Sequence, residues 1–317
     1  MPITVLITGA TGFIGRNLVA SLSADGCRVI ALSRRARDAR AMLGPHVRVI
    51  GDLREVTNDE AIDACVHLAG ARVLGLPWSA TRRQTLINSR TRITDALLGL
   101  ISRLARPPRV LVSASAVGWY GRADGDLAMP CDESSACQPG QFQSNLCTVV
   151  ERTAMHAEAL GTRVARMRFG IVLGIDGGAW PMQAATARLG LATILGSGHQ
   201  YFPWVHIADA VGLVRFAIAN ELIGGPVNVV APEVSTQAEF AEELARSFGQ
   251  RVRLRLPEAP VRLCLGEMAD LLLDGRPVVP RVALTYGYEF AWPRLHRALA
   301  DLADLADLAD LAGRHAR

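Results

Sequence analysis

The sequence contains no lysine: all 34 of its basic residues are arginine. Such a chain cannot form a Schiff base, set a lysine on a phosphate, or use one as acid or base. Its six cysteines (Cys27, Cys65, Cys131, Cys137, Cys147 and Cys264) show no CxxC spacing. Its histidines show no HExxH spacing, so a metal site has no local support. No apolar run reaches about 18 residues, the length that suggests a membrane span. No charged leader with an apolar export segment opens the chain, and the default expectation is a reducing, cytoplasmic setting. The formal net charge of +4 is spread out without a basic block, which argues against a nucleic-acid partner.

What is present is a rhythm of short apolar runs separated by amphipathic stretches. Ile3–Ile7, Cys27–Leu32, Val47–Ile50, Ala64–Leu68, Val110–Val112 and Arg163–Arg168 read as strands. Ile14–Leu22 and Arg82–Leu104 read as helices between them, the second ending before Pro107–Pro108. Alternation of this kind predicts an α/β fold, a Rossmann-type doubly wound parallel sheet covered on both faces. After Arg168 the rhythm weakens, and a smaller, partly interleaved C-terminal substrate domain is expected. Residues 1–168 would form the dinucleotide-binding domain, with returns from about 200–232, and 169–297 mainly the second. Helices are expected at Gln237–Phe248 and Pro260–Leu273, with a strand at Val252–Leu256.

Residues 298–317 form a tail that repeats Asp-Leu-Ala. At about 100° per residue its leucines, from Leu299 through Leu311, rotate by roughly −60° at each repeat and build no single seam. The aspartates repel at i,i+3. A frayed, dispensable helix is the expectation.

The first strand runs into Gly9, Gly12 and Gly15, and a helix follows. This strand–turn–helix would set backbone N–H groups, including those of Thr11, Phe13 and Ile14, against a pyrophosphate. Glycine is required where a β-carbon would block the approach. An NAD site places a carboxylate about 20 residues beyond the glycines, at the end of the second strand. That place here reads Ser33–Arg34–Arg35, with no acid. Arginine suits a 2′-phosphate, so NADP is the expected cofactor and NAD the less favoured one.

The GxxGxxG spacing within TGATGFIG resembles the extended, epimerase-like type of the short-chain dehydrogenase/reductase superfamily. Further strings carry the resemblance: Asp52–Leu53, His67–Leu68–Ala69–Gly70, Arg168–Phe169–Gly170 and Val205–His206–Ile207–Ala208–Asp209. It implies that Asp52 and Leu53 meet the adenine. Leu68, Ala69 and Gly70 would lie beside the nicotinamide ribose, and Ser113 and Arg168 would join the cofactor site. Within Val112–Val117 it assigns the catalytic serine to Ser115, with Ser113 the competitor, and Asn88 to a structural asparagine of the active site. Pro260–Leu273 with Gly275–Arg281 resembles the C-terminal domain of a branch whose substrates are generally unassigned.

The superfamily's acid/base pair, a tyrosine and a lysine four residues later, is missing. Phe142 and Leu146 stand where it should lie, and Tyr120 aligns with a noncatalytic tyrosine. Cys147, Glu151, His206 and Tyr201 are the candidates to move a proton instead. Trp180, Phe202, Trp204, His206 and Arg281 are expected to line the substrate pocket. Two functions follow: an NADP-dependent oxidoreductase or epimerase acting on a small-molecule substrate such as a nucleotide sugar or carbonyl compound, through a non-standard proton relay, or a non-catalytic NADP(H)-binding sensor. Either could be a monomer or a homodimer, the latter through helices Arg82–Leu104 and Phe142–Leu160.

Overall fold

The computed structural model describes residues 3–122 and 129–315. In the first half, strands alternate with helices: β1 (Thr4–Thr8), α1 (Phe13–Ala24), β2 (Arg28–Leu32), α2 (Ala36–Leu43), β3 (Arg48–Ile50), β4 (Ala64–His67), α3 (Ala80–Arg103), β5 (Val110–Ala116), α4 (Phe142–Met155) and β6 (Arg163–Phe169). β-branched and other apolar residues fill these strands and are buried on both faces, as a sheet covered by helices requires. The second half holds β7 (Ile171–Gly174), β8 (Gly177–Gly178), α5 (Trp180–Arg188), β9 (Thr193–Leu195), β10 (Trp204–His206), α6 (Ile207–Ala219) and β11 (Gly225–Val229). There follow α7 (Gln237–Ser247), β12 (Leu254–Leu256), α8 (Glu258–Leu265), α9 (Asp270–Leu273), α10 (Arg281–Thr285) and α11 (Leu295–His315).

The main sheet has seven parallel strands in the order β11-β6-β5-β4-β1-β2-β3. The order reverses direction between β1 and β4. Crevices at such switch points, outside the carboxyl ends of the strands, are where open α/β sheets bind ligands. Among the described residues no helix is long and apolar enough to cross a membrane.

Two large hydrophobic clusters cover the sheet, one packing α1 and α6 and the other α3 with the end of α4. A separate core, with Trp180, Trp204, Phe202, Phe240 and Leu244 at its centre, lies among β7, β10, α5, α7 and α11. Phe202 and Phe240 stack there at 4.1 Å between ring centroids.

Three expectations change here. The helix foreseen at Pro260–Leu273 is broken at Gly266, whose φ of +56° suits glycine. The tail is not wholly dispensable: Leu295, Ala298, Leu299 and Leu302 are buried in the separate core and Ala303 is buried beside them in sequence, while Leu308 is exposed. Only one side of α11 meets the protein, so the rotating leucines leave it after Ala303; Leu311 lies outside the described side chains. The expected pocket lining also fails, because Trp180 and Trp204 are fully buried core residues. Arg281, another expected member of that lining, pairs with Asp132 at 2.6 Å.

Candidate active site

The glycine turn folds as its spacing requires. Gly9 has φ of +77°, and a β-carbon there would meet Ala69 N at 2.7 Å, so the turn rests on the chain leaving β4. A β-carbon on Gly15 would lie 2.1 Å from Gly9 O. Gly12 is exposed and caps α1 with extended backbone; no side chain caps this helix, and its first turn holds no acid. The N–H groups at Phe13, Ile14 and Gly15 therefore face a position that favours an anion.

The side chain of Phe13 is taken up elsewhere, against Gly174, Gly177 and Gly178, where any β-carbon would approach its ring within 3 Å. Ile14 packs against the core. Both can meet a ligand through backbone, and Thr11 stands half-buried beside the exposed Gly12.

Beyond β2, Ser33 Oγ accepts from Arg35 N at 3.3 Å, and Arg34 is exposed. After β3, Asp52 Oδ1 accepts from Arg54 N at 2.9 Å, and Glu55 closes the turn by accepting from Gly51 N and Asp52 N. Leu53 turns its side chain into the core. At the end of β4, His67 Nδ1 and Thr8 Oγ1 are 2.7 Å apart, and burial pushes the His67 pKa down to about 4. Leu68, Ala69 and Gly70 follow directly, under the glycine turn.

The carboxyl ends of β5 and β6 meet α4 in a buried polar chain. Ser115 Oγ donates to Glu151 Oε1 at 2.8 Å. Arg168 grips the same carboxylate with Nε to Oε1 at 2.9 Å and Nη2 to Oε2 at 3.0 Å. A second guanidinium, that of Arg166, lies 3.3 Å from Oε2. Arg168 Nη1 donates to the Tyr120 hydroxyl at 3.0 Å, and Tyr120 donates to Asn228 Oδ1 at 2.7 Å. Asn228 passes the chain on by donating to the Val279 carbonyl at 2.9 Å. Burial pushes the Tyr120 phenol up to about 12. Arg168 also stacks on Trp119, with Cζ 4.1 Å from the ring centroid.

Four sequence expectations change at this site. Arg168 is 2 % exposed and fully engaged with Glu151, Tyr120 and Trp119, so it builds the site and does not reach a cofactor. His206 is removed from it: Nδ1 accepts from Ala208 N at 3.2 Å as the cap of α6, and the ring packs on Trp292. Burial pushes His206 down to about 4. Asn88 accepts from Gln84 on its own helix at 2.8 Å, while its neighbours Ser89 and Arg90 are the α3 residues that touch the loop after β4. Cys147 is buried, with its thiol pushed up to about 11 by burial and by the nearby Glu151, so near neutral pH it carries no charge.

The helix face differs from expectation as well. Phe142 and Leu146 turn away from the strand ends into a cluster with Trp78, Leu86 and Met268; Phe142 meets Trp78 edge-on at 5.0 Å. The face toward β5 is Gln143, Cys147 and Glu151. Gln143 Cβ and Cys147 Sγ lie 3.4 and 3.9 Å from the position of a β-carbon on Gly118. The i, i+4, i+8 spacing of these three was legible; their partners on β5 and β6 were not. Tyr201 lies away from this chain, bridging Thr236.

Some buried polar atoms of this region remain unpartnered. Ser113 Oγ and Gln143 Oε1 are buried without a hydrogen-bond partner, and buried polar atoms in that state ordinarily have a water or a ligand. Among the described residues no group of three or more His, Cys, Asp or Glu could hold a metal ion.

A seven-stranded parallel sheet with a glycine turn at its switch point, followed by this strand-end serine, defines a class. The chain belongs to the NAD dependent epimerase/dehydratase family, whose model matches residues 5–230. A second model, a domain of unknown function (DUF1731), matches residues 256–302. The human protein called epimerase family protein SDR39U1 is 36% identical over 94% of this chain and 99% of its own length. Epimerase family protein YfhF of Bacillus subtilis is 32% identical over 94% of this chain and 97% of its own. A crystal structure of human SDR39U1 with NADPH superposes with a TM-score of 0.86 at 35% identity, covering 95% of this chain and 99% of that one. A nucleoside-diphosphate sugar epimerase from Corynebacterium glutamicum gives 0.75 at 27% identity, covering 100% of this chain and 62% of that one.

Proposed function

We propose that this chain binds NADP(H) across the switch point and acts as an oxidoreductase or epimerase on a small carbonyl compound or nucleotide sugar. The observation that carries this reading is the uncapped, acid-free start of α1 over Gly9, Gly12 and Gly15, with an exposed Arg34 where a ribose-binding acid would stand. The NADPH in the human relative's structure supports the same cofactor. The backbone of Gly12–Gly15 would hold the pyrophosphate and Arg34 the 2′-phosphate, while Ser113 and Gln143 offer their unpartnered oxygens farther along the crevice. When bound, the dinucleotide supplies or accepts hydride.

Ser115 and Glu151 take over the proton work in this reading. The Ser115 hydroxyl donates to Glu151, which leaves its oxygen lone pairs free to accept from a substrate hydroxyl. Ser115 can then pass a proton to the carboxylate as substrate gives one up, and the reverse path returns it. The grip of two arginines on Glu151 holds the acceptor in place but also occupies both of its oxygens. That grip is what favours the second reading, a protein that holds NADP(H) without turnover.

NADPH consumption across a panel of carbonyl compounds, and interconversion of nucleotide sugars with NADP bound, tests the proposal. Turnover that falls roughly 10²-fold or more in Ser115→Ala supports it. Turnover unchanged by Ser115→Ala overturns the relay. Tight NADPH binding with no turnover across the panel favours the holding protein.

A further inference from the structure

Gln143 stands in the first turn of α4, on the face toward β5. Its Cβ and Cγ lie 3.4 and 3.6 Å from the position of a β-carbon on Gly118, just beyond Ser115 in the chain. One turn further along the same face, Cys147 Sγ donates to the carbonyl of Ala116, the neighbour of Ser115, at 3.6 Å. Gln143 therefore rests on the stretch of backbone that carries the serine. It is 7 % exposed, and its Nε2 donates to Gln141 Oε1 at 3.0 Å. Gln143 Oε1 and Gln141 Nε2 are both buried with no partner among the described residues. Gln141 occupies the cap position of α4, where a short polar side chain would close the helix. Its side chain makes no cap bond and turns to Gln143 instead.

The chemistry of the pair limits what it can take. Two carboxamides joined by one hydrogen bond leave one donor and one acceptor over, and turning both amides round leaves the same balance. A group that completes both must itself donate and accept, as a hydroxyl or a primary amide does. A carboxylate or phosphate brings acceptors only and would set lone pairs against the free carbonyl of Gln143. A buried amide with nothing to complete it costs the fold, a cost that a methionine of similar length would not carry.

We infer that Gln141 and Gln143 select the substrate, pairing with a hydroxyl or primary amide that it carries close to the reacting carbon. This rests on the reading above, in which Ser115 meets the substrate, and adds to it a chemical class. Neutral compounds with a group that both donates and accepts are taken, and those with a carboxylate in the same place are refused. Because Gln143 packs on the chain just beyond Ser115, the group it meets is attached near the carbon whose oxygen faces that serine.

The test uses lactamide and lactate, which share a hydroxyl-bearing carbon and differ in a primary amide against a carboxylate. Each is titrated by ligand-observed NMR into the full chain saturated with NADP, as wild type, Gln143→Met and Gln141→Ala. NADPH is titrated into the same proteins by calorimetry. Wild type is expected to bind lactamide roughly 10-fold or more tighter than lactate, as buried hydrogen bonds made by one and not the other would give. Both variants are expected to bring that ratio close to one with NADPH affinity unchanged. The urea midpoint of Gln143→Met, measured without either compound, should equal or exceed that of wild type. Equal or absent binding of the two compounds by a wild type that binds NADPH overturns the inference and leaves the dinucleotide reading standing. A ratio that the variants leave unchanged does the same. NADPH weakened by Gln143→Met while the lactamide preference stays would assign the pair to the cofactor's own carboxamide, and it overturns the assignment to substrate. If Gln143→Met does not fold, Gln141→Ala, at a half-buried position, decides the same question. A wild-type protein that binds no NADPH is a different result: it removes the dinucleotide reading, and this inference with it.

Discussion

Glu151 is 1 % exposed, and Arg168 meets both of its oxygens. Removing one partner of such a pair strands the other, at about 3–5 kcal/mol. Glu151→Gln is therefore expected to lower the urea midpoint strongly, and joint replacement of Glu151 and Arg168 by apolar residues should lose less than the two single changes added together. A double-mutant cycle of urea unfolding measures this; additive losses would show that the pair does not couple. Almost none of the arrangement could be read from the chain. Ser115, Glu151 and Arg168 are far apart in sequence, and only the pairing of β5 with β6 brings Ser115 level with Arg168. The Ser115 motif was legible because it is local. The role of Arg168 was misjudged because a motif reports where a residue stands along a strand, not which neighbour consumes its donors.

His67 adds a pH dependence at the same scale. Burial holds its folded pKa near 4, against about 6.5 when exposed. The unfolded chain therefore binds a proton that the folded one does not, between those values. Stability contributed by the neutral ring is complete above about pH 6.5 and falls as pH drops toward 4, by up to about 3 kcal/mol. His206, which burial likewise pushes down to about 4, adds to the same acid-side decline. Urea midpoints measured from pH 7.5 to 4.5 should decline on the acid side, and His67→Gln should flatten that decline. A parallel decline in the variant would contradict the assignment.

Among the elements, α4 and α11 show how amphipathic patterning succeeds and where it stops. The apolar face of α4 was visible in the sequence, but Phe142 and Leu146 belong to a side cluster with Trp78 and Met268, and the neighbouring face meets β5. A shift of one residue on a helix rotates the side chain by about 100°, enough to exchange those two faces. In α11 the three-residue repeat carried no seam, yet its first turns find a ready-made core formed by α5, α7 and β10. Burial came from what the helix packs against, which its own pattern does not encode. Leu299→Ala and Leu302→Ala should each cost about 2–5 kcal/mol, and Leu308→Ala almost nothing. Thermal melts of the three variants check the contrast; equal shifts would mean that α11 docks along its whole length.

At the scale of the molecule, the buried polar chain that starts at Ser115 ends in the segment after α9. Asn228 reaches the Val279 carbonyl, and Glu133 accepts from Asn228 N at 2.9 Å and Val282 N at 3.3 Å. The serine at the strand end is thus braced by the C-terminal part of the chain. The main sheet, its switch point and the glycine turn were legible from strand–helix alternation and from Gly9, Gly12 and Gly15. The brace was not, because it depends on long-range contacts. In the proposed function, holding a dinucleotide and using it are separate properties: the first would depend on the turn and Arg34, the second on Ser115 and Glu151.

The first of these is the central claim, and titrating the protein with NADPH and with NADH, in wild type and Arg34→Asp, tests it most directly. Wild type should bind NADPH more tightly than NADH, and Arg34→Asp should reverse or erase that preference by weakening NADPH. Equal wild-type affinities for the two, or an NADPH affinity that Arg34→Asp leaves unchanged, would contradict it.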